Sequence, residues 1–577
     1  MASDERGGQA KGRADAEIRP APPRQRVQVT FSGGRIYEGP VGAPLTDFVE
    51  AAFGQPRAPI MAALVDGEPR ELCWPVERDV QVQVMDVTSG DGMRIYQRAL
   101  TFLLVVAVRE LYPEARVFVD HSVTLGGVFC EVRDHDPFSP EDLEAIKRRM
   151  GEIVAADASI TQETLSAEEA RAHFGAQGYD DKVELLRRHR GEVTVYCLEG
   201  VRDYFYGPMP PSTGALGVFD LEHYPPGFIL RMPRREHPDA LPPFRDVPKL
   251  MEVFRDSAQR LRILNIPDIG SLNRAVEEGR IHQAVLVSEA LHENRIAHIA
   301  NAIVAQRERL RLILIAGPSA SGKTTFARRL TIQLMANGLR PFALGLDDYF
   351  VDREHTPLDE EGEYDFESFD ALHLDIFDQH LTALLRGERV RMRRFDFPSG
   401  RGMEADEVEL PEDTVIIIEG IHGLNPALVS GVPPEQVHRV YVSALTQLNI
   451  DHHNRVPTTD TRLLRRIVRD AQYRGATAQQ TIERWESVRR GEERNIFPYQ
   501  ENADVMFNSA LVYELAVLKL FAEPLLLGVS RGGIEFVEAQ RLLAFLRWVR
   551  PCDADLVPDN SLLREFIGGS NLREFKF

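Results

Sequence analysis

The segment Gly317-Pro318-Ser319-Ala320-Ser321-Gly322-Lys323-Thr324 constrains this chain more than any other, because it fits G-x-x-x-x-G-K-[ST] in a fitting context. The apolar run LILIA precedes it and TTFARRLTIQLMANG follows, which predicts a buried strand turning directly into a helix. Glycines let the backbone curl until its N–H groups face phosphate oxygens, and the helix N-terminus adds partial positive charge. Lys323 then reaches β and γ phosphates, and the Thr324 hydroxyl ligates Mg²⁺. The competing reading is a glycine-rich turn with an incidental lysine. Around this segment, LILIA, FALGL, TVIIIEG and RVYVSA are short β-branched and apolar runs separated by helical stretches. Such runs predict a parallel sheet buried on both faces, with helical crossovers.

Three further features bear on chemistry. LGLDDYF ends a strand in Asp347 and Asp348, at the sheet edge where open α/β folds bind ligands. One carboxylate there can take a hydroxyl proton as general base; a cap or a metal-only role is the alternative. Glu419 closes TVIIIEG, the position from which an acid holds Mg²⁺ directly or through water, unless it is an ordinary strand-end acid. Arg462, Arg465, Arg466 and Arg469 share one helical face, with Arg474 just beyond. They form either a solvated basic face or guanidinium forks over a triphosphate. His452 and His453, in DHHNRVPTTD, lack ligand spacing and read as a polar loop.

Composition bounds the rest. A chain of 577 residues has room for about four domains at ~150 residues each. Its 68 Lys and Arg against 88 Asp and Glu leave a net charge of −20, which disfavours a nucleic-acid partner. Cys73, Cys130, Cys197 and Cys552 show no C-x-x-C spacing, as expected in a reducing compartment. No apolar stretch is long enough to span a membrane, and the first 25 residues have no apolar signal core. A cytoplasmic protein without a membrane partner is expected, with a homo-oligomer left open. Texture divides the chain into a disordered tail (1–25), a small β-rich domain (26–87), an α+β domain (88–235), a helical linker (236–305), the P-loop domain (306–530) and a C-terminal extension (531–577).

GPSASGKTT, LDDYF, YDFESFDAL, RFDFPSGR, VIIIEG and RLLRRIVRDAQYRG occur in the order seen in the uridine kinase/phosphoribulokinase family. The resemblance covers about residues 310–510. It implies ATP- and Mg²⁺-dependent phosphorylation of a hydroxyl, the nucleoside 5′-hydroxyl in the uridine kinase branch. By position, Gly317 to Thr325 would hold ATP, with Arg466, Arg469 and Arg474 as lid arginines and Thr324 with Glu419 on the metal. Asp347 and Lys323 would be catalytic. Asp347, Tyr349, Phe350, Glu367, Phe395 and Asp396 would line the acceptor site, Glu367 standing where the family has an aspartate on the ribose hydroxyls. Two positions depart from the pattern: Gly400 replaces a base-reading histidine and Ala476 another arginine. The stretch LNIDHHNRVPTTD also replaces a short family loop.

The front half resembles a different family. Residues 26–87 look like a TGS domain, and residues 88–235 like the editing domain of threonyl-tRNA synthetase, carried by RIYQRALTFLLVVAVRELYP, GGVFCEV and VRDYFYGPMPPSTG. That resemblance implies a hydrolytic site of two histidines on a helix, a cysteine and a further histidine. The matching positions are Arg98, Phe102, Phe205 and Met209, so this half is expected to bind or regulate rather than edit. The expected fold class is α/β: a P-loop NTPase-type parallel-sheet kinase domain behind a β-grasp and an α+β domain. The expected activity is phosphorylation of a small-molecule nucleoside, uridine- or cytidine-like. The alternatives are a kinase of a sugar or pantothenate-like hydroxyl, and a non-editing regulator that senses tRNA or nucleotide.

Overall fold

The computed structural model describes residues 23–123, 126–360, 362–396, 398–445 and 448–575. Most of the tail expected over 1–25 lies outside them. Arg26–Phe31, Ile36–Pro40, Ile60–Val65, Glu68–Arg70 and Val80–Asp86 form one mixed sheet. Its first strand runs parallel to Val80–Asp86. The helix Leu45–Phe53 seals the sheet with Leu45, Phe48 and Val49, the β-grasp arrangement expected for 26–87.

The next unit is built on the helix Gly90–Leu111, which starts at the Ser89 cap and is buried along most of its length. Arg116–Val123 and Gly127–Arg133 pair as the expected hairpin, inside a four-stranded antiparallel sheet completed by Asp220–Tyr224 and Gly227–Arg231. A three-stranded sheet, Thr161–Ser166, Glu192–Leu198 and Val201–Tyr204, stands apart.

The C-terminal half is a five-stranded parallel sheet in the order Arg340–Gly345, Thr414–Glu419, Leu312–Ala316, Val437–Ser443, Val505–Asn508. All five side chains of LILIA are buried, as they must be in a central strand covered on both faces. Strand order reverses direction at this central strand, so the loops at its C-terminal end face an open crevice.

The boundaries at 305 and 530 do not separate packing units. One apolar core runs from Ile266 through the parallel sheet to Ile567. The helix Ile281–Val304 sends Glu289 and Glu293 to Arg329 of the P-loop helix, and His292 against Phe507. The segment read as a linker is therefore a wall of the P-loop domain's core. The helix Ile534–Leu546 belongs to two cores: Leu542, Leu543 and Leu546 pack into the P-loop domain, and Val537 packs into the α+β domain.

The loop at His452 and His453 is not a solvated polar loop. It inserts into the α+β domain, where Lys182 meets Asp203 at 2.9 Å and Asp451 at 3.1 Å, and His453 Nδ1 lies 2.5 Å from Asp203. Asn454 donates to the Tyr204 carbonyl, and Asn449 to those of Val119 and Asp120. Lys182, Asp203, Asp451 and His453 are all buried. Burial opposes their charges; the mutual attraction of Lys182, His453 and the aspartates outweighs it and holds the Asp203 carboxyl far below its usual value. Among the described residues, no helix is long and apolar enough to cross a membrane.

Candidate active site

Close packing dictates the glycines of the P-loop. A side chain at 317 would bring Cβ to 1.9 Å from the Val442 carbonyl oxygen. Gly322 has φ +87°, where only glycine is unstrained, and the helix Lys323–Ala336 starts there. Ala320 also sits at positive φ, +57°, a conformation costing about 1–2 kcal/mol for an L-residue. The arginine helix Thr458–Tyr473 clamps this strained loop. Arg462 donates to the Ser319 carbonyl and pairs with Glu492, which itself accepts the Ser319 N–H at 2.8 Å. Arg465 pairs with Glu514 at 2.6 Å, donates to Ser509 and reaches the carbonyls of Ala320 and Ser321. Both guanidiniums are fully buried. The first half of the arginine row is therefore scaffold, and neither a solvated face nor a phosphate fork describes it.

The second half faces the cleft. Arg466 donates to the Ser319 hydroxyl at 2.7 Å, while its Nε is buried without a hydrogen bond. Arg466, Arg469 and Arg474 gather around one carboxylate, Asp470, at 3.4, 2.9 and 3.6 Å. Three guanidiniums on one acid leave excess positive charge; among the described residues the Lys323 ammonium meets only the Pro318 carbonyl, at 3.2 Å.

Carboxylates answer that charge. Thr324 donates to Glu419 at 3.3 Å. Burial raises the Glu419 carboxyl from 4.5 to about 7, with Lys323 opposing and Asp347 and Glu565 adding to the rise. Glu367 is likewise raised to about 7 by burial and by Glu492, against Arg466 and Lys323, and its Oε2 has no hydrogen-bond partner. Asp347 follows the edge strand in a single 3₁₀ turn, Leu346–Tyr349. It lines the open cleft, exposed to solvent yet walled by protein; that desolvation raises its pKa and Lys323 opposes the rise. Asp348, its neighbour, accepts the Phe395 N–H at 3.1 Å and anchors the hairpin Val390–Asp396/Arg401–Val408. The two adjacent aspartates thus have separate tasks.

Lys323, Thr324, Asp347, Glu367, Glu419, Arg466, Arg469 and Arg474 form one connected group, each acting on another by charge or hydrogen bond. Two expected acceptor contacts do not join them. Tyr349 is fully buried, its hydroxyl 3.1 Å from His380 and its ring against Phe377, so it is a core residue. Asp396 caps its own turn by accepting from Ser399, which holds its pKa low. Phe350 and Phe395 meet edge to face, 5.8 Å between centroids, next to the Asp348 anchor. Gly400 lies at φ +69°, and the side chain of Arg353 fills the space a residue there would use. Glu492, Glu514 and Arg353 were not singled out in the sequence, because acids and arginines in such runs look like any charged helix surface.

The C-terminal extension also reaches the site. Leu562 packs on Gly322, and Glu565 accepts the Thr325 N–H at 3.0 Å. That N–H belongs to the first turn of the P-loop helix, among the donors an anion would use. The residues fit magnesium and a nucleotide: an unpaired lysine, a hydroxyl–carboxylate pair and a glycine cradle lie together. Among the described residues no three or more His, Cys, Asp or Glu gather for a metal, and a magnesium bound largely through phosphate oxygens and water does not need them.

Residues 312–516 match the model of the Phosphoribulokinase / Uridine kinase family. The N-terminal region matches threonine–tRNA ligases: 30% identity over 200 residues to that of Anaeromyxobacter dehalogenans, covering 34% of this chain and 31% of the relative. The Acidithiobacillus ferrooxidans ligase is 37% identical over 198 residues, covering 34% and 30%. The chain spans under a third of the length of these curated relatives. Among solved structures, a "Possible Uridine Kinase from Bacillus stearothermophilus" aligns at 23% identity, covering 37% of this chain and 97% of that one, with a TM-score of 0.26. D-glycerate 3-kinase from Cryptococcus neoformans aligns at 16% identity, covering 37% and 89%, with a TM-score of 0.27.

Proposed function

We propose that this protein transfers a phosphoryl group from ATP to a hydroxyl of a small molecule, with a nucleoside 5′-hydroxyl as the leading acceptor. The observation that carries the reading is Asp347 within electrostatic reach of Lys323, which has no carboxylate partner among the described residues, with the Thr324–Glu419 pair acting on the same lysine. The family match over 312–516 supports it. Magnesium ATP supplies the phosphoryl group and the metal charge; Gly317 to Thr325 hold the phosphates, and Thr324 with Glu419 hold the ion. Phosphoryl transfer asks the protein mainly for positioning and charge neutralisation. Lys323 neutralises the group in transit, and Arg466, Arg469 and Arg474 bring the excess charge that Asp470 leaves. Asp347 accepts the acceptor's proton, for which its raised pKa suits it. Glu367, half-buried with its Oε2 unpartnered among the described residues, orients acceptor hydroxyls.

The acceptor's remaining part is read beside Gly400. Arg353 occupies that space, which favours, as a second reading, an acceptor with an oxygen-rich or anionic group over a pyrimidine. An ATP-consumption screen over nucleosides, sugars, sugar acids and pantothenate separates the two. Turnover is expected with one of these classes and is lost in Lys323→Ala and Asp347→Asn at unchanged melting temperature. Turnover that survives either substitution overturns the assignment.

A further inference from the structure

A second cavity lies away from the kinase cleft. It measures about 470 Å³ and is bounded by the β-grasp domain, the helix Gly90–Leu111, the segment Tyr206–Pro208 and the helix Ile534–Leu546, a volume suited to a small organic ligand. Three of the four positions that align with the synthetase editing site do not reach it: Phe102 and Phe205 pack together in the core, 5.2 Å between centroids, and Met209 is buried. The fourth, Arg98, lines the cavity.

The charges on its walls are unequal. Arg70 is paired with Glu68, Arg94 with Asp91 and Glu538, and Arg541 with Asp460 and Glu538. Arg98 and the exposed Arg547 have no carboxylate partner among the described residues; Arg98 Nη1 donates to the Pro208 carbonyl at 2.6 Å and its guanidinium lies over the Tyr206 ring. Burial lowers its pKa, and Arg94 and Arg541 repel it. The side chain is half-buried, and a guanidinium there without a counter-charge gains a charge-assisted hydrogen bond when an anion arrives. Met85, Ile95, Phe536, Val537 and Ala544 supply an apolar remainder.

We propose that this cavity binds a small organic oxyanion, a phosphate monoester or carboxylate with a flat apolar body, anchored by Arg98. The ligand meets one of the four positions aligned with the editing site, Arg98, and that residue recognises charge. The site is independent of the kinase reading.

Calorimetric titration of the full chain with phenyl phosphate and with benzoate tests this. Saturable binding of at least one probe is expected, and which one binds distinguishes phosphate from carboxylate. Arg98→Gln and Ala544→Phe, on opposite walls, are each expected to weaken binding about tenfold or more, the worth of a lost charged hydrogen bond or a filled cavity. Lys323→Ala, in the kinase cleft, is expected to leave it unchanged. Melting curves confirm which variants are folded; the second pocket variant decides if the first is not. No saturable binding of either probe, or binding lost in Lys323→Ala but kept in both pocket variants, overturns the proposal.

Discussion

Two glutamates in the cleft hold protons more tightly in the folded chain than in the unfolded one. Glu419 and Glu367 move from 4.5 to about 7, mainly through burial. Between those values the native state binds more protons than the unfolded state, so stability falls as pH rises through the window. We expect unliganded protein to lose resistance to urea from about pH 4.5 to 7, and the double variant Glu419→Gln, Glu367→Gln to flatten that slope. A slope unchanged in the double variant would assign it to other groups. Scaffold residues respond differently. Glu492→Gln leaves Arg462 buried without its counter-charge and weakens the hold on the Ser319 N–H, an expected loss of about 3–5 kcal/mol in chemical denaturation. A loss under about 1 kcal/mol, the range of an exposed pair, would contradict that placement. At this scale the sequence was partly legible. LDDYF names two aspartates but not which one faces the cleft, since only the 3₁₀ turn after the strand directs Asp347 outward and Asp348 back to Phe395.

Among elements, the C-terminal extension occupies a donor of the P-loop helix that a phosphate would use. Glu565 occupies the Thr325 N–H and adds negative charge beside Glu419. Glu565→Gln should strengthen ATP binding by about 1 kcal/mol, roughly fivefold, by removing a carboxylate from a helix N-terminus that phosphate would use. Equilibrium binding to the folded variant measures this; equal or weaker affinity would mean that the carboxylate and the nucleotide do not meet. The P-loop and its flanking strand–helix pair were readable because each has a local period and a compulsory glycine. The 531–577 segment was not, because its meaning depends on Leu562 lying against Gly322, a contact of distant residues with no local signature. The arginine helix fell between these cases: its periodicity put Arg462 and Arg465 on one face with Arg466 and Arg469, but could not show that this face turns inward over half its length.

For the whole molecule, the composition and the β-branched runs located the parallel sheet, and period-two strands with turn residues located the front half. What they could not disclose is how tightly the halves are joined. Lys182 lies between Asp203 of its own half and Asp451 of the other. Lys182→Met should cost about 3–5 kcal/mol, because two buried carboxylates lose their cation. The wild-type chain should then unfold in a single transition and the variant in two; separate wild-type transitions would refute the tight junction. The seat of residues 449–454 against Val119, Asp120 and Tyr204 also bears on modularity. A P-loop half that hides its own polar groups inside its neighbour is no longer a portable module. Swapping either piece for a cousin would expose a bare socket where residues 449–454 now sit.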